Sequence, residues 1–156
     1  MYQRIIVPLD GSKRAEQALP HAASLARAVS APVLLVQVVG FPYLEGGHVM
    51  SWEVYKQTLD HVVNDETAEA EAYLAGICKQ LTADGLTASS EVRRGDVDRA
   101  ILAGTRPGDA IVMATHGRGG LARWFMGSVA EDVVRNATVP VLLVRSAAVP
   151  EVESTS

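Results

Sequence analysis

Cysteine is almost missing from this 156-residue chain, with Cys78 standing alone. One thiol excludes an intramolecular disulfide framework and a cysteine-rich metal site, and it fits a reducing compartment. No run of about 18 apolar residues occurs, so no membrane insertion is expected. The opening MYQRIIVPLDG carries only a short apolar run before Pro8 and Asp10, too little for a signal peptide's hydrophobic region. The expected location is cytoplasmic. Basic residues are also in deficit, 14 Lys+Arg against 18 Asp+Glu for a net charge of −4. General nucleic-acid binding draws most of its affinity from a basic stripe, so that class is set aside. No G-x-x-x-x-G-K-[ST] is present, which excludes a P-loop NTPase.

What is present is an ordinary globular composition, 48% hydrophobic and 21% charged. The length is near the prior of roughly 150 residues for one domain. Such a domain buries about 68–70% of its unfolded surface and folds without disulfides or a structural metal. Residues 4–9, 33–39, 110–113 and 139–144 are short, continuous, β-branched runs, the pattern of strands buried on both faces of a parallel sheet. A weaker fifth run is Ala88–Arg93. Between the first two strands, apolar residues from Ala15 to Val29 recur at helical spacing after Ser12, a candidate N-cap. Pro20 inside that run is expected to kink the helix. Residues 52–82 carry Tyr55, Leu59, Val62, Glu66, Tyr73, Ile77 and Leu81 on one face of a long amphipathic helix. Asp96–Ala103 and Ser128–Asn136 read as two more helices, bounded by glycine and proline.

Strands alternating with helices imply a five-stranded parallel sheet with helices on both faces, an α/β class. The expected domain is 1–146, followed by a disordered tail at 147–156. Gly40–Ser51, rich in glycine and proline, reads as a mobile loop after the second strand.

In such a sheet, ligands bind beyond the carboxyl ends of the strands, where the strand order reverses. Three segments fall there: Pro8-Leu9-Asp10-Gly11-Ser12, Val38, and Ala114–Gly127. The last is the richest. Gly117, Gly119 and Gly120 let backbone amides approach a ligand, and Gly127-Ser128 opens a helix whose first amides, including those of Val129 and Ala130, lack partners. Unpaired amides at the positive end of a helix dipole make a phosphate site, to which Ser128 adds a hydroxyl and Arg118 or Arg123 a charge. The plain alternative is that the glycines only turn the chain and Ser128 only caps the helix. Gly117–Ala122 also fits the loose dinucleotide pattern G-x-G-x-x-[GA], but it follows the fourth strand, not the first.

Gly117 to Gly127-Ser128, with nine residues between the glycines, resembles the G-x-x-G-x9-G-[ST] nucleotide motif of the universal stress protein family. IIVPLDGS, LLVQVV and SVAEDVVRNATVPVLLVR are similar to that family too, so the resemblance runs from Arg4 to Arg145. It implies a flavodoxin-like (adenine-nucleotide α-hydrolase-like) sheet and a homodimer through the fifth strand, Val139 to Val144. That strand's exposed edge would carry an apolar run in need of cover. It further implies ATP, with Mg²⁺ or Mn²⁺, in a nucleotide-responsive regulatory module acting on a protein partner whose identity the residues do not give. Carried over, the motif's first glycine falls on Ala114, the others on Gly117 and Gly127, and the hydroxyl on Ser128. Pro8, Leu9 and Asp10 would flank the adenosine, Val38 would offer backbone groups to the adenine, and Met113 completes the set. Ala114 departs from the motif; its methyl is tolerable at φ < 0 and costly at φ > 0.

Asp10 has two readings, a ribose or metal contact and an Asx-turn. His116, inside the loop, could meet a phosphate or serve only packing. His21, His48 and His61 lack metal-ligand spacing and read as surface residues. Trp124, Phe125 and Met126 read first as packing against the domain, then as a lid or interface. The rival functions are a slow nucleotide hydrolase and a nucleotide-free interaction protein. Efficient catalysis is disfavoured, because no carboxylate pair stands at the expected phosphate end and no G-x-S-x-G elbow is present.

Overall fold

A computed structural model describes residues 1–40, 51–116 and 126–147. The expected loop at 41–50, the glycines at 117–120 with Trp124 and Phe125, and the tail from 148 lie outside the described residues. In chain order the elements are β1 (Arg4–Leu9), α1 (Lys13–Glu16), α2 (Leu19–Val29), β2 (Val33–Val39), α3 (Trp52–Ala83), β3 (Ala88–Arg94), α4 (Val97–Ala103), β4 (Asp109–Ala114), α5 (Ser128–Asn136) and β5 (Val141–Val144). All strand pairings are parallel, in the order β3-β2-β1-β4-β5. The order therefore reverses at β1, which pairs with β2 on one side and β4 on the other.

Strand alternation builds two cores. Ile5, Val7, Val33, Leu35 and Val112 face one way, against Ala22 and Ala26 of α2 and Leu74 and Ile77 of α3. Ile6, Leu34, Val36, Ile111 and Met113 face the other way, against Ile101 of α4 and Ala130 and Val133 of α5. Central strands are buried on both faces, as their continuous apolar runs require. The edges depart from that expectation. β3 exposes Ser89, Ser90 and Glu91, and β5 leaves Leu142 45% exposed. β5 is also shorter than expected, because Pro140 lies outside it and only its carbonyl is engaged, accepting from the Ile111 N–H.

The expected kinked helix is instead two helices. Ser12 does cap the first, its hydroxyl accepting from the Ala15 N–H. Pro20 then stands in the first turn of α2, where its missing N–H has no intrahelical partner to lose. Proline there starts a helix and bends none. The long helix is present, but its buried residues are Ala70, Leu74, Ile77 and Leu81, all in the carboxyl half. At 1.5 Å per residue its 32 residues span about 48 Å, roughly twice the length of a seven-residue strand at about 3.3 Å each. The amino half overhangs the sheet, so Tyr55, Leu59 and Val62 are only half-buried and Glu66 is exposed.

Candidate functional site

Three chain segments leave the sheet at its carboxyl end, around the reversal at β1. After β1, Gly11 takes φ +83°, a left-handed conformation open to glycine, and reverses the chain into α1. The Asp10 carboxylate accepts from the Ser12 N–H at 2.9 Å and the Ser12 hydroxyl at 2.6 Å, an Asx-turn that fixes the side chain. Asp10 also lines the cavity beside it, so the turn reading holds and the side chain stands where a ligand contact would be made. Pairing of β1 with β2 stops at Leu9 and Gln37. Val38 lies one residue past that last bridge.

The third segment follows β4. Ala114 is its last residue, buried and extended. Among the described residues Ser30 is the single non-glycine with positive φ, so the alanine in place of the motif's first glycine carries no left-handed strain. The chain returns at Gly127, whose N–H donates to the Thr115 carbonyl at 2.8 Å. A β-carbon on Gly127 would stand 3.1 Å from that oxygen. Its φ is −60°, so close approach, not backbone handedness, is the reason for glycine here.

Gly127 is the N-cap of α5 and, lacking a side chain, makes no side-chain cap bond. The capping role suggested for Ser128 is therefore corrected: Ser128 is the first helical residue, and its hydroxyl does not close the helix end. The first-turn amides and the positive end of the dipole open onto the cavity.

That cavity has a volume of about 330 Å³, at the lower bound of common small-molecule sites. Pro8, Leu9, Asp10, Val38, Met113, Ala114, Gly127, Ser128, Val129 and Ala130 all line it. Ten of the fourteen expected site residues are thus brought together; Gly117, Arg118, Gly119 and Gly120 lie outside the described residues. The wall also includes Ala15, Val36, Val97, Ile101, Thr115 and His116. Val97 and Ile101 of α4 were missed because nothing local marks them; α4 reaches the site by packing beside α5. The signal for Thr115 was its place between Ala114 and the loop. His116 Nδ1 sits 3.1 Å from the Thr115 hydroxyl, so this candidate has both a cavity position and a hydrogen-bond partner. His21 and His61 are exposed, Cys78 is half-buried, and Met126 packs on the α4/α5 core; His48 lies outside the described residues.

The chemistry of the wall is divided. β1, β2 and α4 supply aliphatic surface suited to a flat ring, whereas α5 and the segment after β4 supply N–H and O–H groups. Among the described residues no cluster of three His, Cys, Asp or Glu could hold a metal ion, and Asp10 is the one carboxylate in the wall. No helix among the described residues is long and apolar enough to cross a membrane.

A doubly wound parallel sheet with a half-apolar cleft at its reversal point is the architecture of the flavodoxin-like α/β class, in which ligands commonly bind at that point. The chain belongs to the universal stress protein family, whose profile matches residues 1–145. It is 32% identical over 148 residues to universal stress protein MJ0531 of Methanocaldococcus jannaschii, covering 93% of this chain and 83% of that one. The solved structure of MJ0577 from the same organism superposes with a TM-score of 0.79 at 26% identity, covering 96% and 99% of the two chains. A universal stress protein of Archaeoglobus fulgidus, solved in complex with dAMP, shares the fold with a TM-score of 0.60 at 21% identity, over 92% and 98%.

Proposed function

We propose that this chain is an ATP-binding regulatory module of the cytoplasm, working as a homodimer whose nucleotide state alters its contact with a protein partner. The observation that carries the reading is the glycine-capped amino end of α5, which opens onto a cleft whose opposite wall is aliphatic. Phosphates suit the first and an adenine ring the second. An adenine nucleotide in a relative of the same fold supports the ligand class. Pro8, Leu9 and Asp10 would flank the adenosine and Val38 the base edge. Gly127, Ser128, Val129 and Ala130 would hold the phosphates, completed by Gly117, Arg118, Gly119 and Gly120.

A divalent ion fits this donor set only as a passenger of the nucleotide. Mg²⁺ commonly binds through one or two carboxylates together with substrate phosphates, and Asp10 is the carboxylate available in the wall. The ion would neutralise phosphate charge, while the chain's own groups bind and orient. For the dimer, β5 offers an apolar edge with Leu142 exposed; pairing with a second copy would cover it symmetrically.

Native mass spectrometry of the purified protein, followed by calorimetry with ATP, tests the reading. Co-purified ATP, or micromolar affinity, supports it. Bound ADP or AMP transfers the case to a hydrolase, and failure of any adenine nucleotide to bind transfers it to a nucleotide-free interaction protein.

A further inference from the structure

The carboxyl end of α4 is held from outside the helix. Its last four carbonyls lack intrahelical donors, and no basic residue stands in its last turn. Leu102 is served locally, its carbonyl accepting from the Thr105 N–H at 3.0 Å and the Thr105 hydroxyl at 2.8 Å. Ala100 and Ile101 are served by Arg93 of β3, whose Nη1 donates to their carbonyls at 2.9 and 3.1 Å. The Arg93 side chain is 15% exposed. Glu91 on the same strand orients it, accepting from Nε at 3.0 Å and from Nη2 at 2.7 Å. Gly104 lies so close to the guanidinium that a β-carbon there would overlap it. At the other end of α4, Asp96 is the N-cap and makes no side-chain cap bond.

We propose that Arg93 is a positioning residue that sets the separation of α4 from β2, and with it the width of the aliphatic half of the cleft. Arg93 does not line the cleft, yet it is tied to both surfaces that do. Through its backbone it is the bridge partner of Val38, and through its guanidinium it holds Ile101. Val38 and Ile101 both line the cavity, with Val36 and Val97 beside them. Ile101 carries the link within one residue, its carbonyl on Arg93 and its side chain in the wall. Helices shorter than about 12–15 residues are marginal in isolation, so the placement of this seven-residue helix rests on packing and on its end contacts. A charged donor shared by two carbonyls at the negative end of the helix dipole is a strong contact of that kind.

The consequence is selectivity for a flat ligand. Dispersion falls steeply with distance, and a gap of about 0.5–1 Å forfeits roughly a quarter to a half of the contact energy. A ring lying against β2 and α4 feels their separation, whereas a phosphate held by the first-turn amides of α5 does not. Only the choice of ATP as the carrier of that ring rests on the nucleotide reading.

The test is the binding of three probes to the full chain, ATP and inorganic tripolyphosphate by calorimetry and indole by NMR titration. In Arg93→Ala, ATP and indole should each bind about tenfold more weakly, the effect of losing about one methylene of pocket contact. Tripolyphosphate should bind as it does to wild type. Arg93→Lys should fall between, because an ammonium offers a point charge in place of a planar fork of donors. Gly104→Ala keeps every wall residue and Arg93 itself but displaces the guanidinium. It should reproduce the Arg93→Ala pattern and add nothing when combined with it. A merely structural arginine would lower the unfolding midpoint while the three affinities kept their ratios. Unchanged ATP and indole affinities in Arg93→Ala, equal weakening of all three probes, or a further loss of ring binding when Gly104→Ala is added, overturns the proposal. ATP binding that Arg93→Ala leaves untouched keeps the nucleotide reading intact. Arg93-dependent indole binding without ATP binding in wild type does the reverse, and if neither probe binds wild type both fall.

Discussion

The two ends of the sheet spend their polar groups in opposite ways. At the amino end Arg4 and Asp109, bridge partners of β1 and β4, form a bidentate pair at 3.0 and 2.6 Å. Arg4 also donates to the Gly104 carbonyl at 2.9 Å, and Asp109 accepts from the Arg106 N–H at 2.7 Å. The Gln3 N–H closes on Gly108, Ile5 on Pro32 and Val33 on Thr87. At the carboxyl end a helix begins at a glycine cap that offers no side chain, and Thr115 and His116 line a cavity. Buried polar groups are affordable in a fold only when partnered. The closed end serves stability, whereas in the proposed reading the first-turn amides of α5 at the open end are left for a ligand.

The sharpest way to break that division is to remove Asp109, which is 3% exposed. Burial pulls its carboxyl upward, but the Arg4 and Arg106 hydrogen bonds and the attraction of both arginines outweigh this and hold it below its ordinary value. Asp109→Ala leaves Arg4 without its counter-charge. Because water still reaches part of the guanidinium, the expected loss is at the low end of broken buried pairs, about 3 kcal/mol by urea unfolding. ATP affinity should be unchanged; a tenfold fall would show that the ends are coupled. The sign of the pH dependence follows from the lowered carboxyl. Its stabilisation is complete above the ordinary carboxylate range, about pH 4, and is lost only as pH falls through the depressed folded value. Asp109→Asn should remove that part of the acid sensitivity.

The converse change is at Gly127. A β-carbon there meets the Thr115 carbonyl at 3.1 Å, and valine adds bulk toward the first-turn amides of α5. Calorimetry should show ATP affinity reduced at least about tenfold in Gly127→Val, or about 1.4 kcal/mol, with a smaller loss of stability than in Asp109→Ala. Gly127→Ala should fall between valine and wild type. Equal affinity in all three would remove the phosphates from α5.

What could be read from the sequence follows the same division. Continuous aliphatic runs at 4–9, 33–39 and 110–113 marked the central strands because burial on both faces leaves no polar positions. The glycine and serine at 127–128 marked the head of α5 and its close return to Thr115, because backbone approach is a local demand. Local pattern failed where distant packing decides. Nothing near Arg4 or Asp109 announces a pair 105 positions apart, and Val97 and Ile101 enter the wall only because α4 docks beside α5. Pro20 was misread because the helix break at residues 17–18, which turns a disruptive proline into a first-turn one, has no local signature.

The two edges of the sheet repeat the comparison on a smaller scale. β3 carries Ser89, Ser90 and Glu91, and charge keeps such an edge from pairing, whereas β5 is VLLV with Leu142 exposed. If a second copy covers β5, burying Leu142 contributes about 1–2 kcal/mol per protomer. Leu142→Asp should then shift the protein toward monomer in light scattering at micromolar concentration, with Glu91→Leu as the control at the other edge. A wild type that is already monomeric would refute the interface.

The smallest effect is expected at His116, and it separates binding from chemistry at the open end. Helix amides and a serine hydroxyl, as in this wall, would favour negative charge in the ground state as much as in the transition state, and uniform binding of that kind does not accelerate hydrolysis. Turnover also needs a group to orient the attacking water, and His116 is the wall residue suited to it, with Nδ1 3.1 Å from the Thr115 hydroxyl. Any ATPase activity should therefore lie below the usual enzyme range of about 1–1000 per second. His116→Ala should lower that residual rate while changing ATP affinity by less than about threefold, since a neutral hydrogen bond contributes only about 1 kcal/mol. Turnover above roughly one per second in wild type would make the open end an active site, and the division between the two ends would then be one between stability and catalysis.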